Sequence, residues 1–152
     1  MKKNNNGFTI IEVVLVLAIA GLIFLAVFIA LPALQRGQRD NQRRSDASRF
    51  ASQLQSFATN NNGTMPANNA TAVGTFVNSY LRKGDEGFKD PKSGNDYVVT
   101  MASGAPENVG TFYYYRGGKC SGETIGTGGG DRTAAIATPL EGSGVYCQDV
   151  QK

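Results

Sequence analysis

From Val13 to Leu34 the chain runs 22 residues without a charged or polar side chain, and then it changes character. As a helix such a run spans about 33 Å, enough for a hydrocarbon core of roughly 30 Å, so the pattern predicts a membrane-spanning segment. Beyond Pro32 the sequence turns polar and then amphipathic. Ala47, Phe50, Ala51, Leu54, Phe57 and Ala58 recur at three- and four-residue steps and share one apolar face. The same helix is therefore expected to continue out of the membrane until Asn60, Asn61, Asn62 and Gly63, since asparagine and glycine accept the left-handed conformation common just past a helix end. From Thr9 to Ala58 it would be about 75 Å long, half embedded and half packed under a head. Gly21 and Pro32 interrupt its apolar half, and each loosens a helix locally without breaking it where neighbouring groups satisfy the freed backbone.

The remaining 93 residues, Asn60 to Lys152, hold 16 of the 19 glycines, the mark of a small, loop-rich domain. A short helix is predicted near Ala72 to Leu81, where Val73, Phe76, Val77, Tyr80 and Leu81 share a face. Strands are predicted at Tyr97 to Met101, Thr111 to Arg116, Thr133 to Thr138 and Gly144 to Val150, separated by glycine-rich turns. Short connections between successive strands argue for an antiparallel sheet, and the fold class is α+β. A core of this size is marginal alone, so the head is expected to lean on the apolar face of the preceding helix.

Charge and candidate chemistry change this picture little. The net charge of +3 is modest. Arg36, Arg39, Arg43, Arg44 and Arg49 are spread around more than one helical face with Asp40 and Asp46 among them, which reads as a solvated collar or as contacts to adjacent subunits rather than a nucleic-acid reader. The chain has no histidine, and no acid/base pair or activated nucleophile can be placed, so no enzyme activity and no cofactor are expected. Asp85, Glu86, Asp90 and Asp96 are oxygen ligands of the kind calcium takes, but they lack EF-hand spacing and Lys83, Lys89 and Lys92 intervene; charged turn residues are the reading, with no metal. The segment Gly126 to Asp131 (GTGGGD) lacks the lysine and hydroxyl pair of a phosphate loop and is expected to be a flexible exposed loop. In the run Tyr113, Tyr114, Tyr115, strand alternation sends Tyr114 to the face opposite its neighbours. Asn62 and Asn69 each open a glycosylation sequon, which matters only where the machinery exists.

The amino terminus carries the most specific signal. A short basic leader with Lys2, Lys3 and three asparagines ends at Gly7, and the segment GFTIIE (Gly7 to Glu12) places one carboxylate, Glu12, at the edge of the apolar run. No small-residue cleavage pattern follows that run, so any cut precedes it. An ionisable group at this depth is costly and usually functional, although a glutamate snorkelling toward lipid headgroups is the plainer alternative. These residues, with the span behind them, resemble the signal of the type IV pilin and pseudopilin superfamily over roughly the first 35 residues. The resemblance implies cleavage between Gly7 and Phe8 by a prepilin peptidase and N-methylation of Phe8. It also implies that Glu12 meets the terminal amine of Phe8, on its own chain or on a neighbour, and thereby sets the register of assembly. Gly21 and Pro32 would bracket a segment able to lose helicity inside a filament, with a simple kink as the alternative. Asp90 to Tyr97 (DPKSGNDY) resembles a turn that leads into the sheet in many such proteins, with one extra residue.

Lysines and arginines flank both ends of the span, and by charge alone the arginine side would face the cytoplasm. The resemblance instead places the amino terminus there and the head outside. Cys120 and Cys147 would then lie in an oxidising compartment and form a disulfide closing a C-terminal loop. The function so implied is a type IV pilus subunit: held in the cytoplasmic membrane before assembly, polymerising into an extracellular homo-oligomeric helical filament through its N-terminal helix. Its partners would be the prepilin peptidase and an assembly platform with an ATPase, and no specific nucleic acid. The expected division is leader 1–7, filament-core helix 8–34, amphipathic half 35–59 and head 60–152. A type II secretion pseudopilin is the close alternative, the disulfide loop favouring a pilus, and a single-pass anchored surface-binding domain is the alternative from another class.

Overall fold

The computed structural model describes residues 7–83 and 87–151. Helix α1 (Ile10–Asn60) is continuous through Gly21 and Pro32. The chain divides into two compact units, one ending at Arg36 and the other beginning at Gly37. The first is helix from Ile10 onward. In the second, the predicted apolar face of α1 is buried: Ala47, Phe50, Ala51, Leu54 and Ala58 are inside, and Phe57 packs against them half-exposed. The helix stops where asparagine and glycine predict. Asn62 and Gly63 take left-handed φ of 54° and 83°, and the Gly63 N–H closes onto the Ala58 carbonyl at 2.7 Å.

Helix α2 (Ala70–Phe76) begins two residues earlier than its apolar periodicity shows, because Asn69 caps it: the Ala72 N–H donates to Asn69 Oδ1 at 2.8 Å. It then widens into a π turn over Val77–Leu81 that keeps Val77 and Leu81 buried. Strands β1 (Val98–Met101), β2 (Thr111–Arg116), β5 (Thr133–Pro139) and β6 (Val145–Gln151) form a sheet of order β1-β2-β5-β6. All four match predicted strands within one residue at either end. The pairing departs from expectation at one place, since β1 runs parallel to β2, with Val98 opposite Thr111, while the other pairs are antiparallel. The nine residues from Ala102 to Gly110 are enough to carry the chain back alongside, so a short connection did not enforce a hairpin here.

A second, two-stranded sheet, β3 (Gly118–Ser121) with β4 (Thr124–Thr127), was not predicted. The first residues of the GTGGGD segment belong to β4, and the Gly129 N–H donates to the Gly117 carbonyl at 2.7 Å, so the segment is pinned rather than free. The hairpin covers the face of the main sheet that α1 does not touch, where Ile125 packs with Ala135 and Ala137. Cys120 on β3 and Cys147 on β6 are joined in a disulfide, Cα to Cα 5.8 Å. Tyr114 faces the main core and donates to the Pro66 carbonyl at 2.7 Å, while Tyr113 and Tyr115 lie in the smaller cluster with Ile125, as alternation requires.

Phe50 is the centre of the main core. Its ring lies 5.6 Å from Phe76, 5.9 Å from Phe88, 5.6 Å from Phe112 and 6.3 Å from Tyr114, so one α1 side chain touches α2, strand β2 of the head and the segment before β1. Phe50→Ala is expected to destabilise the head by about 3–5 kcal/mol, and chemical denaturation of the detergent-solubilised chain measures it. Reducing the disulfide, which closes a 27-residue separation, is expected to cost about 3 to 4 kcal/mol in the chain-entropy model, read as a lower denaturation midpoint in the presence of a reductant.

Candidate functional site

Two places concentrate chemistry: the start of α1, and the point where the head grips it. At the start, Gly7 and Phe8 precede the first helical turn, and Phe8 is 88% exposed. Thr9 stands at the N-cap position and Glu12 three residues on, a spacing that lets each satisfy an orphan donor of the other. The Thr9 N–H donates to Glu12 Oε2 at 2.9 Å, the Thr9 hydroxyl donates to the same oxygen at 2.8 Å, and the Glu12 N–H approaches Thr9 Oγ1 at 3.4 Å. The signal that could have found this closure, a threonine followed three residues later by a glutamate ahead of an apolar run, went unread. The carboxylate thus has a local partner within its own chain.

Around Glu12, Val13, Val16 and Leu17 line a shallow apolar groove with Phe8. From Phe8 to Leu34 the large apolar side chains stand exposed, still 60% so at Leu34. This helix is the one described element long and apolar enough to cross a membrane. Its continuity through Gly21 and Pro32 belongs to the isolated chain; loss of helicity between them was expected only inside a filament.

The second place overturns the reading of the arginines as a solvated collar. Arg36 and Arg44 are exposed, but Arg43 is fully buried and reaches three carboxylates. Its Nε and Nη2 donate to Asp90 Oδ1 at 2.9 and 2.6 Å, its Nη1 to Asp40 Oδ1 at 3.0 Å, and Nη2 pairs with Glu141 Oε1 at 2.8 Å. Arg39 holds the same Glu141 with two parallel bonds of 2.9 and 2.7 Å. Asp40 returns the grip, accepting the backbone N–H groups of Glu141 and Gly142 at 2.8 and 2.9 Å. Arg49 donates to the Leu81 carbonyl at 3.0 Å.

The Asp90 to Tyr97 turn explains how a carboxylate comes to wait at that spot. The Asp90 N–H donates to the Asn95 carbonyl, the Gly94 N–H donates to the Asp90 carbonyl, and the Ser93 N–H holds Asp90 Oδ2 at 3.0 Å, leaving Oδ1 for Arg43. Tyr97, at the end of the turn, donates to Asp46 Oδ2 of α1 at 3.0 Å. Of the acidic residues weighed for calcium, Asp90 is thus committed to Arg43 and Asp96 lies 3.5 Å from Arg82, while Asp85 and Glu86 lie outside the described residues. Among the described residues no group of His, Cys, Asp and Glu is placed to hold a metal.

The electrostatics follow from these contacts. The bonds from Arg39, and then those from Arg43, outweigh the desolvation of Glu141 and bring its carboxyl down to about 2. Burial pushes the Asp90 carboxyl up, but Arg43 and the Ser93 N–H more than reverse it, leaving it below the ordinary value. Burial of Asp46 raises its carboxyl despite the Tyr97 and Gln42 bonds.

Residues 2–28 match the family model described as the prokaryotic N-terminal methylation motif, the class III signal of type IV pilins and pseudopilins. Neither a curated protein nor a solved structure matches the chain.

Because Glu141 and Asp90 have folded-state values below their unfolded ones, they stabilise the head above the ordinary carboxylate range and cease to as pH falls through their folded values. Asp46, shifted the other way, offsets part of that loss. The melting temperature of the head is expected to fall between pH 4.5 and about 2. Glu141→Gln is expected to start lower at neutral pH and to lose less across that window, read by thermal melts monitored by circular dichroism.

Proposed function

We propose that this chain is the structural subunit of a type IV pilus, polymerising through α1 after its leader is removed between Gly7 and Phe8. The N-terminal methylation motif supports a type IV pilin-like or pseudopilin protein, a structural subunit rather than an enzyme. It also implies a substrate of the prepilin peptidase that is handed to an assembly machinery, and with the apolar helix it fits a membrane-anchored precursor. One observation carries the finer reading. Behind that signal, α1 offers large apolar side chains from Phe8 to Leu34, all of them exposed in the chain itself. Lipid covers such a surface before assembly, and like helices of other copies cover it afterward.

The register of assembly is assigned to Phe8 and Glu12. A carboxylate entering an apolar bundle alone is strongly disfavoured, and an ammonium beside it restores much of the lost solvation. The freed amine of Phe8, methylated, is the cation available at that depth. Glu12 would exchange its closure on Thr9 for that amine as a subunit docks. Gly21 and Pro32 are the positions where the packed helix would loosen, and the disulfide-stapled head, with the Cys120 to Cys147 loop, would form the filament surface. ATP-driven extension falls to the platform and its ATPase, since no catalytic constellation is assigned to this chain.

Mass spectrometry of material sheared from the surface of cells making the native protein is the direct test. The expected result is an N-terminal peptide beginning at Phe8 and carrying one methyl group. A protein retaining Met1 in the membrane fraction would contradict the proposal, and a processed form confined to membranes would assign the chain to a secretion pseudopilus. Glu12→Ala is expected to leave cleavage intact while lowering the amount of sheared filament at least about tenfold. Normal incorporation of the variant would remove the register role.

A further inference from the structure

Strand β6 ends the main sheet on the side opposite β1. The Gly144 carbonyl points to β5, accepting from the Leu140 N–H at 3.0 Å, and the Thr133 carbonyl, opposite Gln151, points away from β6 to the Gly117 N–H at 2.8 Å. Alternation therefore turns the N–H and C=O groups of Val145, Cys147, Asp149 and Gln151 to the outer edge. Among the described residues no group bonds to them. The hairpin covers one face of β6, where Cys120 is joined to Cys147, and the α1 core takes Val150 on the other.

An open edge of this length is normally blunted by proline, a bulge or a charge. β6 has no proline, and its seven residues pair with β5 without a bulge. Its one charge, Asp149, is turned to the hairpin, where Oδ1 accepts the Cys120 N–H at 2.7 Å. Gln148, midway along the strand and opposite Ile136, has its Oε1 buried without a hydrogen bond. An acceptor left in that state costs free energy that a donor would recover.

We propose that the β6 edge pairs with the β6 edge of a second copy, antiparallel and two-fold symmetric about Gln148. All seven residues then overlap. Val145 exchanges main-chain hydrogen bonds with the partner's Gln151, and Cys147 with the partner's Asp149. The two Gln148 residues form the central non-hydrogen-bonded pair, where side chains approach most closely. With a turn about the soft terminal torsion, each carboxamide donates to the other's Oε1. A register centred on Asp149 would instead set like charges face to face and leave the amides unmatched. The match is self-complementary under one axis, which singles out a second copy as the occupant. That axis is normal to the sheet, so it reverses the α1 segment packed on it and excludes copies whose α1 helices lie parallel. The proposal does not depend on the pilus reading.

The test uses the full-length chain in detergent, at a micelle excess that leaves one chain per micelle, followed by amide hydrogen exchange in NMR. As protein concentration rises, exchange is expected to slow at Val145, Cys147, Asp149 and Gln151, with half the effect at roughly 0.1 to 1 mM. Gln148→Glu, which sets two carboxylates across the axis, is expected to weaken the association at least about tenfold with the remaining spectrum unchanged. Gln151→Pro removes an edge N–H that the chain's own sheet does not use, and gives the same reading should the first variant misfold. Unchanged exchange at those four amides up to about 2 mM, equal association by a folded Gln148→Glu chain, or protection that appears only when two chains share a micelle would each overturn the proposal, the last by making parallel copies the occupants.

Discussion

An apolar helix half whose large side chains stand exposed is the constraint on which everything else depends. Val13 to Leu34 offers no charge to water, and the head behind it is fully occupied in building its own small core. Transfer of that much apolar surface to lipid or to like helices is the only route by which it leaves water. Glu12 is tolerable at its edge because Thr9 lies three residues before it and supplies two donors to one carboxylate oxygen. In the proposed filament the apolar surface would account for the need to associate, and the single carboxylate of Glu12 would distinguish one axial position from another.

A different interaction ties the head to α1. Aromatic packing around Phe50 supplies the apolar contact, which tolerates some sliding, whereas the buried guanidinium of Arg43 does not. It requires Asp90 from the turn before β1, Glu141 from the loop between β5 and β6, and Asp40 from its own helix to converge within hydrogen-bonding distance. Desolvating these charges cancels much of their Coulombic attraction, so the cluster's contribution is better described as orientation than as net stability. Removing Arg43 would leave the carboxylates of Asp40, Asp90 and Glu141 with only Arg39 to offset them, which is the sense in which the cluster holds the head at one setting on the second half of α1.

Much of this was legible beforehand where the information is local. The period of α1, its stop at Asn62 and Gly63, four strands and the placing of Tyr114 on the face opposite its neighbours follow from spacing and residue type within a few positions. The roles of Arg39 and Arg43 were not legible, because their partners in the head lie 47 to 102 residues away and an arginine on a polar-looking helix face carries no mark of burial. The β3 and β4 hairpin was missed for a related reason. Its strands are four residues each and rich in glycine, so intrinsic preference reads them as turn, while packing of Ile125 on β5 and the disulfide to β6 decide otherwise. The parallel setting of β1 depends on where a nine-residue connection runs, which local pattern does not encode. At the start of α1 the residues were recognised as a signal, yet their mutual hydrogen bonding, a matter of helix capping alone, went unread.

Electron cryo-microscopy of filaments sheared from cells that make this protein tests the central claim most directly. The account predicts a core of α1 helices in which residues 8–34 of neighbouring copies cover one another, with the Phe8 amine within ion-pair distance of a Glu12 carboxylate. Filaments built without this chain, or a core in which Glu12 faces solvent and residues 8–34 make no contact between copies, would contradict it.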